Sequence, residues 1–237
     1  MPKRYWWVII TYIIMQFSSI LIVPFLYYVF QVDLVKTSIY YSVFSFIVGL
    51  IIVLLLMKPD MQKVPHRNAS PWGIAILWSV VGVFMAFSAQ FIAVAIEMEV
   101  FGIKPGSENT KQIMDISRNF PIFILIPAIL APILEEIIFR KIIFGSLYKR
   151  TNFLIAALGS AFIFGIIHGE PEHILIYASM GLVFAFLYVQ TKRIMVPIIV
   201  HMAMNSITVI NQFNLTPEQI EEMERQINQL QMIFIGG

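Results

Sequence analysis

Cysteine is absent from all 237 residues, which excludes disulfides, thiolate metal sites and a cysteine nucleophile. Charge is scarce: 13% of residues are Asp, Glu, Lys or Arg, about half the roughly 25% of an ordinary soluble domain. Net charge is only +2, and the basic residues come singly or in pairs, so no polybasic stripe offers a footprint to a nucleic acid. No stretch in the middle of the chain has linker composition, and no internal repeat stands out. The first apolar run, Trp6 to Phe30, is too long for a signal-peptide core and has no small-x-small cleavage pattern behind it, so it is expected to stay in the mature protein.

What remains is apolar. Hydrophobic residues make up 59% of the chain, and they gather into runs of the roughly 20 residues needed to cross about 30 Å of hydrocarbon. Such runs are Trp6 to Phe30, Ser38 to Met57, Trp72 to Ile96, Pro121 to about Leu147, Phe153 to His168, Ile174 to Gln190 and Ile194 to Ile210. The pattern predicts an all-α, polytopic transmembrane helix bundle of about seven or eight spans, with kinked helices around an intramembrane polar cavity. One membrane domain covers 1–237: three N-terminal spans and an external loop (1–120), a core (121–211) and a C-terminal amphipathic helix (212–237). Within the loop, "TKQIMDISRN" reads as a short helix. In the C-terminal segment, Thr216 and Pro217 open a helix whose apolar stripe is Ile220, Met223, Ile227, Leu230 and Phe234. A cytoplasmic N-terminus puts Lys3, Arg4, Lys58, Lys63, Arg67, Lys149, Arg150, Lys192 and Arg193 inside, against Lys36, Lys104, Lys111, Arg118 and Arg225 outside, as the positive-inside rule favours.

Against this background, ionisable residues inside spans are costly, about 2.5–3.5 kcal/mol each on insertion scales, and usually face a cavity or one another. "ILEEIIFR" places Glu135, Glu136 and Arg140 in the fourth span. Glu136 and Arg140 are four apart and share a face, while Glu135 is rotated by about 100° from Glu136, so one carboxylate can be clamped and the other face a cavity. The fifth span carries Phe164 and His168, and the seventh carries His201 and Asn205, each pair one turn apart. Pro132 and Pro197 stand close to these groups, and each is expected to free a backbone carbonyl nearby. The three helices can share one site only if the fourth continues about two turns past Arg140.

A glutamate with a histidine can take a proton from water, the general-base step of hydrolysis. A second histidine and an asparagine can donate to the oxyanion, where one good donor contributes about 3 kcal/mol. Two histidines and a carboxylate also suit zinc, with Glu135, His168 and His201 as the ligand set. With no H-E-x-x-H, the sequence leaves metal-bound and metal-free water both open.

Glu135-Glu136-x-x-x-Arg140, Phe164-x-x-x-His168 and His201-x-x-x-Asn205, in that order on successive apolar segments, resemble the three signature motifs of the CAAX protease and bacteriocin-processing (Abi) family. These are intramembrane proteases related to the type II CAAX prenyl endopeptidase. The match covers roughly Pro121 to Asn211. The resemblance implies peptide-bond hydrolysis at a site within the bilayer of a bacterial plasma membrane, on a membrane-associated peptide or protein C-terminus. By similarity Glu135 and His168 activate the water, His201 and Asn205 hold the oxyanion or order that water, and Glu136 and Arg140 organise the first motif helix, with Glu136 able to share the catalytic load. The family is described as metalloproteases and also through a glutamate-dependent mechanism without metal, so zinc stays open. The competing class is a proton or ion relay, or a non-catalytic immunity or scaffold protein.

Overall fold

The computed structural model describes residues 1–62, 68–104 and 106–214, with positions 219, 222 and 225. Lys63, Arg67 and the expected C-terminal stripe from Ile220 to Phe234 lie outside the described residues. Among those described the regular structure is entirely helical. In chain order the helices are α1 (Lys3–Phe17), α2 (Ser19–Phe30), α3 (Leu34–Met61), α4 (Trp72–Phe101), α5 (Glu108–Asn119), α6 (Pro121–Tyr148), α7 (Phe153–Ile167), α8 (Ile174–Thr191) and α9 (Met195–Asn214). All seven expected apolar runs are helical, and the short helix expected in the long loop is α5.

Local chemistry explains the boundaries. Asp33, Ser107 and Asn152 cap α3, α5 and α7 by accepting from Lys36 N, Thr110 N and Ile155 N. Five helical segments are long and apolar enough to cross a membrane, and α1 with α2 makes a sixth that bends by 42°. At that bend the Ser18 and Ser45 hydroxyls both bond the Met15 carbonyl, so side chains replace a rung of the helical ladder. Helix α7 has only 15 residues, about 22 Å at 1.5 Å per residue, and falls short of the roughly 30 Å hydrocarbon thickness.

The α6 helix is irregular and central. A 3₁₀ turn (Pro121–Ile124) leads into π-helical turns (Ile126–Leu130), an α turn (Ala131–Glu135), a second π stretch (Glu136–Phe144) and a last α turn (Gly145–Tyr148). The helix thus runs two turns past Arg140. Its residues enter a core with α1, α3 and Phe164 of α7, and Phe144 enters another with α7 and α8. A third core joins α4, α8 and α9. Large side chains such as Leu21, Phe84 and Phe91 point outward, as lipid-facing positions do.

Two details of the proline expectation divide. Ala131 N bonds Ile126 O, a five-residue step, so the next rung would run from residue 132 to Pro127 O. Pro132 has no N–H, and Asn205 Nδ2 on α9 donates to Pro127 O at 2.9 Å in its place. Pro197, by contrast, lies in the first turn of α9, where a helix needs no donor from it, so it opens no bond at the site.

Candidate active site

The second π stretch decides which side chains of α6 meet. An i→i+5 turn holds one more residue than an α turn for a similar climb, which packs Glu135 to Phe144 into a shorter height. The carboxylates of Glu135 and Glu136 address the same imidazole. His201 Nδ1 donates to Glu136 Oε1 at 2.9 Å, and His201 Nε2 lies 3.8 Å from Glu135 Oε2. That separation is too long for a direct hydrogen bond.

Glu136 is sealed, with 0% exposure, and Arg140 beside it has 1%. Arg140 Nε stands 3.1 Å from Glu136 Oε2, an ion pair whose angle is not that of a hydrogen bond. Neither Nη1 nor Nη2 of Arg140 has a hydrogen-bond partner among the described residues. The guanidinium lies instead over three rings, at 4.7 Å from Phe164, 5.1 Å from Phe184 and 5.9 Å from Phe139. Beside it, Gly181 lets α8 approach α7 closely, since a Cβ there would stand 2.9 Å from Ala161 Cβ. Buried charge is tolerable here because the cation meets one carboxylate and three aromatic faces.

His168 follows the last residue of α7 and is half-buried. Its Nδ1 lies 2.7 Å from the Phe164 carbonyl, and since a carbonyl only accepts, the proton is on Nδ1. Nε2 of the neutral ring is then its basic atom. Phe164 links the two histidines, its ring 4.5 Å from His168 and 6.1 Å from His201. Among the described residues no hydrogen bond or ion pair joins His168 to Glu135.

The structure thus brings Glu135, Glu136, Arg140 and His201 into direct contact, puts His168 across Phe164 from them, and turns Asn205 toward the Pro127 carbonyl. One Asn205 amide proton is committed there and the second is left over. Within the cluster His201 is 5% exposed, and Glu135 and His168 are its more accessible members. Zinc fits this arrangement poorly. Among the described residues no three His, Asp or Glu side chains are grouped so as to hold a metal ion, and the Nδ1 atoms of both His168 and His201 already hydrogen-bond protein oxygens.

Several polar groups had no motif to announce them. Glu97 at the end of α4 and His173 before α8 form a buried pair at 2.8 Å, with Ile176 N also donating to Glu97. Glu170 is 6% exposed and bonds Ser107, Asn109 N and Tyr177. Phe184 stacks on His201 at 4.9 Å and Tyr177 on His168 at 4.1 Å. The only hint is compositional, in the crowded "HGEPEH" turn from His168 to His173.

The same segment is where other proteins match. The sequence model described as "Type II CAAX prenyl endopeptidase Rce1-like" matches residues 117–207, which contain all three motifs. "Putative membrane peptidase YdiL" of Bacillus subtilis (strain 168) is 46% identical over 100% of this chain and 99% of its own length. "Membrane-embedded CAAX protease MroQ" of Staphylococcus aureus (strain USA300) is 34% identical over 96% of each chain. No solved structure matches. With an apolar helix bundle, all three motifs in place and likeness running the full length of two bacterial membrane proteins, the chain belongs to the CAAX protease family of membrane peptidases.

Proposed function

We propose that the protein is an intramembrane endopeptidase in which Glu135 is the general base. The observation that carries this is the division of labour between the two adjacent carboxylates. Glu136 spends one oxygen on His201 and turns the other to Arg140, in full burial, so it holds the site together. Glu135 accepts no hydrogen bond among the described residues and keeps an oxygen 3.8 Å from His201 Nε2, beyond direct bonding, so it is the carboxylate left able to take a proton from water.

The chemistry then runs through these side chains. Water between Glu135 and the histidines gives a proton to Glu135, and its oxygen attacks the scissile carbonyl. His201, whose Nδ1–H is taken by Glu136, orders the water through Nε2, and the spare amide proton of Asn205 is the donor for the oxyanion, of the kind whose loss costs about 100- to 1,000-fold. His168 Nε2, the free basic nitrogen, relays the proton from Glu135 to the leaving amine, which departs as the C–N bond breaks. Because the expected ligands Glu135, His168 and His201 are not grouped as a metal site, no step passes through zinc.

The substrate we propose is a membrane-associated peptide or protein C-terminus, reaching a site set among apolar helices in a bacterial plasma membrane, with the chain's N-terminus in the cytoplasm; the apolar bundle and the likeness to CAAX proteases support this reading. The test uses the full chain in lipid nanodiscs and quenched fluorescent peptides carrying a C-terminal cysteine, with and without a prenyl group. Cleavage by the wild type, and its loss in Glu135→Ala, His168→Ala and His201→Ala, is the expected result. Turnover that survives in all three variants ends the hydrolase proposal, and proton flux without cleavage favours the relay.

A further inference from the structure

His168 is held loosely by its own helix. Its hydrogen bond runs back to Phe164 within the last turn of α7, and Gly169, at φ +74°, then turns the chain away through the left-handed region that glycine alone enters freely. What fixes the plane of the imidazole comes from elsewhere. The Tyr177 ring lies flat against it, centroids 4.1 Å apart and planes 23° from parallel. The Tyr177 hydroxyl in turn donates to Glu170 Oε2. The Glu170 carboxylate also receives Ser107 Oγ at 2.8 and 3.0 Å and Asn109 N at 2.9 Å.

Ser107 is the cap of α5 and Asn109 lies in its first turn, so this one buried carboxylate joins three parts of the chain. At the other end of α5, Arg118 donates to the Gln212 carbonyl of α9, and Met114 and Ser117 are buried between. Helix α5 therefore crosses from the turn after His168 to α9. An ionised carboxylate with several donors is a strong fixed point, because charge-assisted bonds are about twice as strong as neutral ones.

We propose that Tyr177 is a positioning residue for His168, and that Glu170 sets Tyr177 and registers the first turn of α5 against it. This deepens the peptidase proposal and rests on it for its meaning in catalysis, whereas the orientation of His168 is measurable without turnover. A stacked pair contributes enough to change the population of one ring orientation about 2- to 10-fold, and misplacement of a catalytic group by about 1 Å costs on the order of 100-fold in rate.

The experiment uses the full chain in nanodiscs and two readouts. The first is the rate of carbethoxylation of His168 by diethyl pyrocarbonate, followed by peptide mass spectrometry with His173 and His201 as internal references. Tyr177→Leu removes the ring and is expected to raise the His168 rate about 2- to 10-fold, as the lost stacking implies. Tyr177→Phe keeps the ring and recovers most of the wild-type rate, and Glu170→Gln falls between the two. The second readout is peptide cleavage, where Tyr177→Leu lowers kcat with KM unchanged and Tyr177→Phe restores it. Identical His168 rates in the wild type and all three variants overturn the proposal. So does an equal rise at all three histidines, which marks a loosened bundle. A wild type that cleaves no peptide ends the peptidase proposal alone, since the carbethoxylation series still decides whether Tyr177 sets His168.

Discussion

Glu135 and Glu136 are neighbours in sequence with opposite dependences on their surroundings. Removing the Glu136 carboxylate leaves Arg140 as a buried cation facing only rings, and breaking one side of a buried pair costs about 3–5 kcal/mol. Glu136→Ala is therefore expected to lower the thermal unfolding temperature sharply and to cut the yield of folded protein, measured in nanodiscs. Glu135→Gln should leave the unfolding temperature near that of the wild type and lower kcat by about 100- to 10,000-fold, the worth of a general base. The contrast between the two variants, measured on one preparation of each, decides which carboxylate works and which one holds. At Glu170 burial pushes the carboxyl upward, but bonds from Asn109 N, Tyr177 and Ser107, with the nearby His173, outweigh it and the net shift is below the ordinary value of 4.5. A depressed folded-state value contributes stability that is complete above the unfolded value and is lost as pH falls through the folded one. The wild type should thus be more stable than Glu170→Gln at neutral pH, and that margin should shrink once pH drops below about 4.5. A margin that is constant with pH would mean that the carboxylate is not the latch.

Elements carry the part of the site that a sequence pattern reports poorly. The three motifs named all six expected residues, because ionisable groups within apolar runs stand out against a background with so little charge. The register was not legible in the same way. Spacing of 3.6 residues per turn separates Glu135 from Glu136 by about 100°, yet the π turns of α6 set both against His201. No residue-type preference marks a π turn in advance, since it arises from packing against α1, α3, α7 and α9. Pro132 is the exception, for its missing N–H explains why Asn205 reaches across to Pro127. This link predicts coupling. Asn205→Ala alone orphans the Pro127 carbonyl, at a cost of about 1–3 kcal/mol. In a Pro132→Ala background the restored N–H can take that carbonyl, so the same substitution should cost less in stability. A double-mutant cycle on thermal or denaturant unfolding measures the difference, and strict additivity of the two changes would refute the shared carbonyl.

At the scale of the whole molecule, the short α7 places His168 at the end of a helix of only 15 residues. The chain leaves it through His168, Gly169 and Glu170 and a 3₁₀ turn (Pro171–His173) before α8 begins, with the start of α5 bonded to Glu170. Such backbone survives in a bilayer only where protein lines it, and Glu97, His173, Glu170 and Ser107 supply the partners. The apolar runs made the bundle legible, and the run from Phe153 to His168 is already the shortest of them, but its length alone does not say how the helix is tilted or what roofs it. Which end of the bundle faces the cytoplasm rests on loop charge. Lys149, Arg150, Lys192 and Arg193 share one end, and α5 with Lys111 and Arg118 lies at the other. The absence of cysteine makes this directly measurable, since any introduced thiol is the sole target. In intact cells a membrane-impermeant maleimide should label Lys111→Cys and spare Lys149→Cys until the membrane is permeabilised. Labelling in the reverse order would put α5 and the His168 turn on the cytoplasmic side and invert the side from which a substrate meets them.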